Sequence, residues 1–203
     1  MELSVDRAAV AGPRGELLRA TSLKVGPGAL AVVAGEPGDG HTAFGLAITG
    51  RFRVDTGAVE PGQDVLRARS ALVDAPGVSE PEGALRTSDV VAEALALAGR
   101  KAGRAAVRAV VDEHGLDPGA RFETVPAAAR TALLAGIADR DLLVLDTPDR
   151  HSGDPATWWP TALSHARAGR AVVVLCATAT ARLLPVTPAR LGETEQPDPL
   201  ETR

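Results

Sequence analysis

The residues best suited to chemistry lie between Leu30 and Gly50, where an apolar run leads into a glycine-rich turn and then into a helix-forming stretch. Residues 35–42 read GEPGDGHT and fit the phosphate-loop pattern G-x-x-x-x-G-K-[ST] at every fixed position but one, because His41 stands in place of the lysine. Glycines let the backbone turn its N–H groups inward, and the positive end of a helix that begins near Thr42 points to the same place. The sequence therefore predicts an anion-binding loop without its usual lysine.

A second signal is the apolar stretch LLVLD, which ends at Asp146. In phosphate-loop proteins an acid at the end of such a strand holds Mg²⁺ together with the hydroxyl of the loop, so Thr42 and Asp146 are expected to share the metal. Each feature alone has a plainer interpretation, a glycine turn without a ligand or an aspartate that caps the sheet edge. Their combination, in this order, favours a nucleotide site. The expected nucleotide-binding residues are Gly35, Gly38, Asp39, Gly40, His41, Thr42 and Ala43.

The composition is that of a globular domain. The chain has 203 residues, 45% of them hydrophobic and 24% charged, which is enough for a core without disulfides or metal. A net charge of -4 and only two Trp and three Phe offer neither a basic patch nor a stacking platform, so no nucleic-acid partner is expected. The single cysteine cannot form an internal disulfide, and the N-terminal residues do not resemble a signal peptide. We therefore expect a cytoplasmic protein.

Short β-branched runs alternate with alanine-rich stretches, which predicts an α/β fold containing a parallel sheet. The predicted strands are a hairpin of 3–10 and 17–25 around the turn 12–15, then 30–34, a region from 57 to about 73, 141–146 and 171–176. The predicted helices are 42–49, 87–98, 103–114, one from Pro126 and one from about 155 to 168.

The domain organisation is predicted to be simple. Residues 1–184 are expected to form a single domain, with the helices of about 87–138 as an insertion. Residues 185–203 contain several prolines and acids without periodicity, and this pattern predicts a flexible C-terminal tail.

At this point the chain resembles the ATP-binding subunits of ABC transporters over most of its length. The resemblance rests on the segment from Leu3 to Val59, with its GPG turn before the phosphate strand and its DTG after the first helix, and on DLLVLDTPD with Asp154 and Pro155 beyond it. It implies a P-loop NTPase of ABC type, with a mixed sheet core, an N-terminal antiparallel β piece and a helical insertion. It also implies ATP and Mg²⁺ as ligands, a membrane-spanning transporter subunit as partner, and pairing as a homodimer or as a heterodimer with another ATP-binding subunit. Such a subunit would sit peripherally at the inner face of the cell membrane.

The chain departs from that family at the positions that carry the chemistry. His41 replaces the lysine, and Thr147 stands where the family has the glutamate that polarises water, although a threonine hydroxyl cannot act as a base near neutral pH. The signature region, residues 122–128, reads FETVPAA and has no glycine. Residues 177–179 (ATA) stand where the family has the switch histidine, and Asp74 or Ala75 stands where it has a glutamine. The family also has an aromatic residue that stacks on adenine, but no aromatic residue precedes Phe44 in this sequence.

These departures predict no catalytic residue and an inactive or impaired ATPase. His151 is interpreted as an exposed loop residue, with replacement of the switch histidine or of the base as the alternative, and Asp149 and Asp154 are not expected to rescue water activation. The preferred function is a nucleotide-binding subunit with weak or absent hydrolysis, acting as a regulatory or asymmetric half. The alternatives are an interaction module that kept the fold and lost the nucleotide, and an active phosphate-loop NTPase with a non-standard base.

Overall fold

The computed structural model describes residues 1–13 and 15–202, and two sheets organise them. Arg14, in the predicted hairpin turn, and Arg203, at the end of the predicted tail, lie outside these residues. The strands are β1 (Leu3–Gly12), β2 (Gly15–Val25), β3 (Ala29–Gly35), β4 (Thr56–Glu60), β5 (Ser70–Val73), β6 (Leu142–Asp146), β7 (Ala171–Ala177), β8 (Ala189–Arg190) and β9 (Leu200–Glu201). The helices are α1 (His41–Ile48), α2 (Gln63–Arg69), α3 (Thr87–Leu97), α4 (Arg104–Glu113), α5 (Ala127–Ala138), α6 (Trp159–Arg167) and α7 (Thr178–Ala181).

The larger sheet has the strand order β5-β6-β7-β3-β8, and these strands are parallel. Its central strands are apolar at nearly every position because both faces are covered. On β3, Leu30 and Val32 point into a core shared with α3, α5 and α6, whereas Ala31 and Val33 point into a second core shared with β1, β2 and α1. The sheet is thus the middle layer of the molecule.

The smaller sheet is antiparallel and has the order β2-β1-β4. It packs through residues such as Leu3, Leu18 and Leu23 against the second core, where Phe44 and Ile48 of α1 also lie. Helices α3, α4 and α5 follow one another between β5 and β6, at the place of the predicted helical insertion. The predicted α/β fold, with its parallel sheet, antiparallel N-terminal piece and helical insertion, is therefore confirmed. None of the described helices is long and apolar enough to span a bilayer.

Two predicted elements differ from the structure. The strand region expected from Gly57 to Val73 is divided into β4, α2 and β5, because Pro61 and Gly62 interrupt the strand and a helix begins directly after them.

The predicted flexible tail is, in its described part, folded onto the larger sheet. Strand β8 pairs in parallel with Val33 and Ala34, and β9 pairs antiparallel with Ala29 and Leu30. Between these strands Leu191 is buried, and its N–H donates to the carbonyl of Ala34. The edge of β3 has backbone groups that need partners, and the last segment supplies them.

Candidate functional site

The parallel sheet brings four chain segments together at one edge. The loop of residues 35–42 follows β3, Asp146 ends β6, Ala177 ends β7, and Asp74 follows β5 directly. Since the strands are parallel, their carboxyl ends meet at the same edge, which is where ligands bind in open α/β sheets.

The phosphate loop has the backbone that the sequence predicts. Gly38 and Gly40 have φ angles of 98° and 97°, which a residue with a Cβ rarely adopts. Gly40 is required for a second reason, because a Cβ there would collide with the carbonyl oxygen of Leu17 at the start of β2. Helix α1 begins directly after Gly40 and, in the described residues, has no side-chain cap at its N-terminus. The helix end is therefore available to an anion.

The structure brings Thr42 and Asp146 together. Thr42 Oγ1 donates to Asp146 Oδ2 over 2.7 Å, although the two residues are far apart in the sequence. Asp146 is 1% exposed, and its Oδ1 has no hydrogen-bond partner anywhere in residues 1–13 and 15–202. A buried carboxylate oxygen without a partner is costly unless a ligand satisfies it. A hydroxyl and a carboxylate are oxygen donors of the kind that Mg²⁺ prefers, so the residues fit this ion.

The electrostatics of Asp146 agree with that interpretation. Burial raises the pKa of its carboxyl group, and the contacts with Thr42 and Thr147 together with the charges of His41 and Arg150 only partly offset the effect of burial. The carboxylate thus lacks a close cation among the described residues, and a divalent ion would stabilise its charged form.

His41 lies against the end of β7. Its Nε2 is 3.0 Å from the carbonyl oxygen of Cys176, and because a carbonyl can only accept, Nε2 carries the hydrogen. The ring also approaches Gly35, where a Cβ would lie 3.1 Å from two ring atoms. Ala43, the last predicted nucleotide residue, is half-buried and packs its side chain against the second core, which leaves only its backbone for a ligand.

Asp39 makes contacts within the loop that the sequence motif did not predict. Its Oδ2 accepts the N–H of Glu36 over 2.7 Å, and its Oδ1 lies 3.4 Å from Arg19 Nη2 of β2. The loop therefore holds one negative group of its own at a backbone donor. Among the described residues, the pair of Asp39 with Arg19 is the only ion pair that involves a residue of the phosphate loop.

Beside the loop lies a charged cluster that sequence reasoning missed, formed by Asp74, Glu80, Arg130, Arg150 and His151. Arg130 of α5 donates to both oxygens of Asp74 over 2.7 Å each. Arg150, from the segment after β6, lies 3.0 Å from Asp74 and 3.1 Å from Glu80 and also donates to the backbone oxygen of Asp74. His151 Nε2 is 3.0 Å from Asp74 Oδ2, but its N–H is not aligned for a hydrogen bond.

The positive and negative charges of this cluster balance one another. Burial by itself raises the pKa of Asp74, but the contacts with Arg130 and His151 and the charges of Arg130 and Arg150 outweigh burial and lower that pKa to about 2. The guanidinium of Arg130 also lies 4.8 Å from the centre of the Phe122 ring. Asp74, Glu80 and His151 could by distance alone hold a metal. Two arginines against the same oxygens oppose a further cation, so the cluster is a structural ion-pair network.

Thr147, Asp149 and Asp154, the residues considered as sources of a base, have structural partners here. Thr147 has a φ of 47°, and its N–H donates to the carbonyl of Leu175. Asp149 accepts the N–H of Ala177, and Asp154 accepts the N–H of Ala156 in a short 3-10 turn. The interpretation of His151 as an exposed loop residue is wrong, because Asp74 and its arginines hold this ring in the cluster and leave its side chain only 22% exposed.

A groove of about 380 Å³ lies between β5 and the helices α3 and α5. Its lining combines Arg51, Arg67 and Arg140 with apolar residues such as Val78 and Leu97, of which Leu97 is 80% exposed. Burial, together with the charges of Arg67 and Arg140, lowers the pKa of Arg51. The groove is therefore both apolar and positively charged.

Comparison with solved structures relates this geometry to known proteins. A protein from Pyrococcus furiosus described as a candidate ABC transporter ATP-binding protein superposes with a TM-score of 0.70 at 13% identity, covering 94% of this chain and 96% of its own. A nucleotide-free ATP-binding cassette from an ABC transporter gives 0.68 at 15% identity, with coverages of 98% and 92%. An ATP-binding subunit of an ABC transporter gives 0.65 at 16% identity, with coverages of 97% and 90%. The chain therefore has the fold of an ABC nucleotide-binding domain.

The sequence comparisons add nothing to this result. No protein-family model and no curated protein matches the chain. At identities of 13–16% the superpositions show the fold, and function has to be argued from the residues of the site.

Proposed function

We propose that this chain is a nucleotide-binding subunit of an ABC transporter-type complex that binds ATP with Mg²⁺ and hydrolyses it weakly or not at all. The observation that carries the proposal is the pair Thr42 and Asp146, joined over 2.7 Å at the head of an uncapped helix, with one buried carboxylate oxygen left without a partner in the described residues. Backbone N–H groups and the helix end would hold the phosphates, and Thr42 with Asp146 would hold the ion.

The residue after Asp146 and the partners of the nearby acids support weak hydrolysis. Thr147 occupies the position after Asp146, where a hydroxyl cannot take a proton from water near neutral pH. The two nearby aspartates, Asp149 and Asp154, accept backbone N–H groups, and His151 is held by Asp74. The chain would therefore respond to nucleotide by binding it, as a regulatory or asymmetric half does.

The partners follow from the same proposal. The structural neighbours are named as parts of ABC transporters, which supports a membrane-spanning subunit as partner and pairing with a second ATP-binding subunit, either a copy of this chain or a different one. The arginine-lined groove suits a docking segment with acidic and apolar side chains. Through that partner the chain would lie at the inner face of the membrane.

One observation favours the second candidate, an interaction module that has lost the nucleotide. Asp39 places a carboxylate on the N–H of Glu36, so two acidic residues lie in the loop and oppose a polyphosphate.

Calorimetry with ATP and Mg²⁺ decides between the two candidates, with Asp146→Asn as the control variant. Saturable Mg²⁺-dependent binding that the variant loses is the expected result. No binding at millimolar nucleotide would overturn the proposal in favour of the interaction module. ATP turnover at rates usual for ABC subunits, lost in Asp146→Asn, would instead show that the site is fully active.

A further inference from the structure

The phosphate loop lacks its own strong cation, but an arginine from another element reaches it. Arg19 extends from β2, and its Nη2 lies 3.4 Å from Oδ1 of Asp39 in the loop. Resting on the proposed function, we propose that Arg19 is the phosphate-binding cation of this site, supplied by β2 in place of the missing lysine, and that Asp39 holds it while no nucleotide is bound.

The start of β2 is fixed against the loop, so the position of Arg19 follows from the fold. The carbonyl of Leu17, two residues before Arg19, packs so closely on Gly40 that no side chain fits there. Two residues after Arg19, Thr21 Oγ1 accepts the N–H of Gly192. The guanidinium itself lies across Gly192, where a Cβ would be 2.8 Å from its central carbon. Glycine at position 192 thus leaves the space that Arg19 needs.

The pair with Asp39 is loose enough to be exchanged. The side chains of Arg19 and Asp39 are 56% and 28% exposed, and at 3.4 Å the contact is long for a charge-assisted hydrogen bond. Exposed pairs of this kind add little to stability. A polyphosphate carries more charge than one carboxylate and presents oxygens in the geometry that a guanidinium fork matches, so it would take Arg19 from Asp39.

Among the described residues, the other basic side chains at this edge of the sheet are already engaged. His41 donates to the carbonyl of Cys176, and Arg150 is bound to Asp74 and Glu80. Releasing Arg150 would break its ion pairs with Asp74 and Glu80 and its hydrogen bond to the backbone oxygen of Asp74, so Arg150 is not available to a phosphate. Arg19 is available.

The test compares Arg19→Ala with Lys24→Ala by calorimetry, using Mg²⁺-ATP and inorganic tripolyphosphate as probes. Lys24 is an exposed cation of the same strand, so its removal changes the net charge equally at about 17 Å of strand length from Arg19. We expect Arg19→Ala to weaken the binding of both probes about tenfold, Arg19→Lys to weaken it less, and Lys24→Ala to change it less than twofold. Equal effects of Arg19→Ala and Lys24→Ala, or a loss seen with ATP but not with tripolyphosphate, would overturn the inference.

A second pair of variants separates a phosphate contact from a structural role. Asp39→Asn removes the competing charge but keeps an oxygen for the N–H of Glu36, so both probes should bind more tightly. In this background Arg19→Ala should still weaken binding about tenfold. If it has no effect there, Arg19 serves only to hold Asp39 and the inference is wrong. If the wild-type chain binds neither probe, the proposed function fails as well, whereas wild-type binding that is indifferent to Arg19 removes this inference alone.

Discussion

Two buried aspartates end neighbouring strands of the same sheet, and their surroundings are opposite. Asp74 follows Val73 and Asp146 follows Leu145, a pair of residues in register between β5 and β6. Two arginines and a histidine surround Asp74, and its pKa is lowered to about 2. Asp146 has one hydroxyl partner and an unpartnered oxygen in the described residues, and burial raises its pKa.

The different surroundings of the two aspartates indicate different roles, one in the structure and one in ligand binding. A buried carboxylate whose charge is matched by fixed side chains has nothing left for a ligand, and removing one of its partners is costly. A carboxylate kept buried without a matching cation costs stability in the free protein, and a ligand that supplies the charge recovers that cost. The cluster of Asp74 is therefore a structural ion-pair network. Asp146, at the same edge of the sheet, keeps an oxygen without a partner in the described residues, as the proposed function requires.

The largest expected effect comes from breaking the Asp74 cluster. Arg130→Ala should lower the free energy of unfolding by about 3–5 kcal/mol, because the side chains of Arg130 and Asp74 are only 7% and 10% exposed and Asp74 would lose its bidentate partner. Urea denaturation measures the loss. Arg108→Ala, which breaks an exposed pair with Asp112, is the matched control and should cost less than about 0.5 kcal/mol.

The double variant Asp74→Leu/Arg130→Met sharpens the same point. Removing both charges leaves no uncompensated partner of the pair, so the double variant should be more stable than Arg130→Ala. If the double variant is less stable than Arg130→Ala, the cluster has a role in stability beyond neutralising the buried Asp74.

The second effect concerns ligand binding at Asp146. Asp146→Asn should weaken Mg²⁺-dependent ATP binding by about 10–100-fold, the value of a hydrogen bond or ligand contact to a charged group, with a much smaller change in stability than Arg130→Ala. Calorimetry and urea denaturation of the same preparations measure both quantities. A variant that binds Mg²⁺-ATP like the wild type would show that the two aspartates do not differ in the proposed way.

The third effect is the pH dependence of stability. The folded-state pKa of Asp74, about 2, lies below the value of about 3.9 for an unfolded aspartate, so Asp74 contributes stability above pH 4 that is lost as the pH falls towards 2. This contribution is about 2 kcal/mol. Asp146 acts in the opposite direction, because its raised pKa makes it costly at neutral pH and less costly on acidification.

Unfolding free energies at pH 5 and pH 2.5, compared between the wild type and Asp74→Asn, measure that contribution. The wild type should lose more stability on acidification than the variant. Asp112→Asn, which removes an exposed paired aspartate, should follow the wild type. Parallel losses in the wild type and Asp74→Asn would contradict the assignment.

The smallest effect concerns His41. His41→Lys should strengthen ATP binding by about tenfold or less without restoring hydrolysis, because Thr147 still provides no base. Calorimetry and a turnover assay measure the two quantities. Unchanged ATP affinity in His41→Lys would show that residue 41 does not contact the phosphates, and turnover in this variant would show that another residue acts as the base.

The fold and the loop could be predicted because their signals are local. Glycine spacing, an apolar strand ending in Asp146, and runs of helix-forming residues are each contained in a short stretch of sequence. The tail could not be predicted, since residues 185–202 have no periodicity and are ordered only because the edge of β3 needs hydrogen-bond partners. His151 was misjudged for a similar reason, because its partner Asp74 is far away in the chain.

The sequence by itself determined the backbone of the site, because glycines, an N-terminal helix turn and a buried acidic strand end act through local geometry. Only the tertiary structure decided which charges meet. Arg130 and Arg150 reach Asp74 from α5 and from the segment after β6, and Arg19 reaches Asp39 from β2. Coulomb interactions depend on distance in space and not on spacing in the chain, so the balance of charge at this edge of the sheet is a property of the folded molecule.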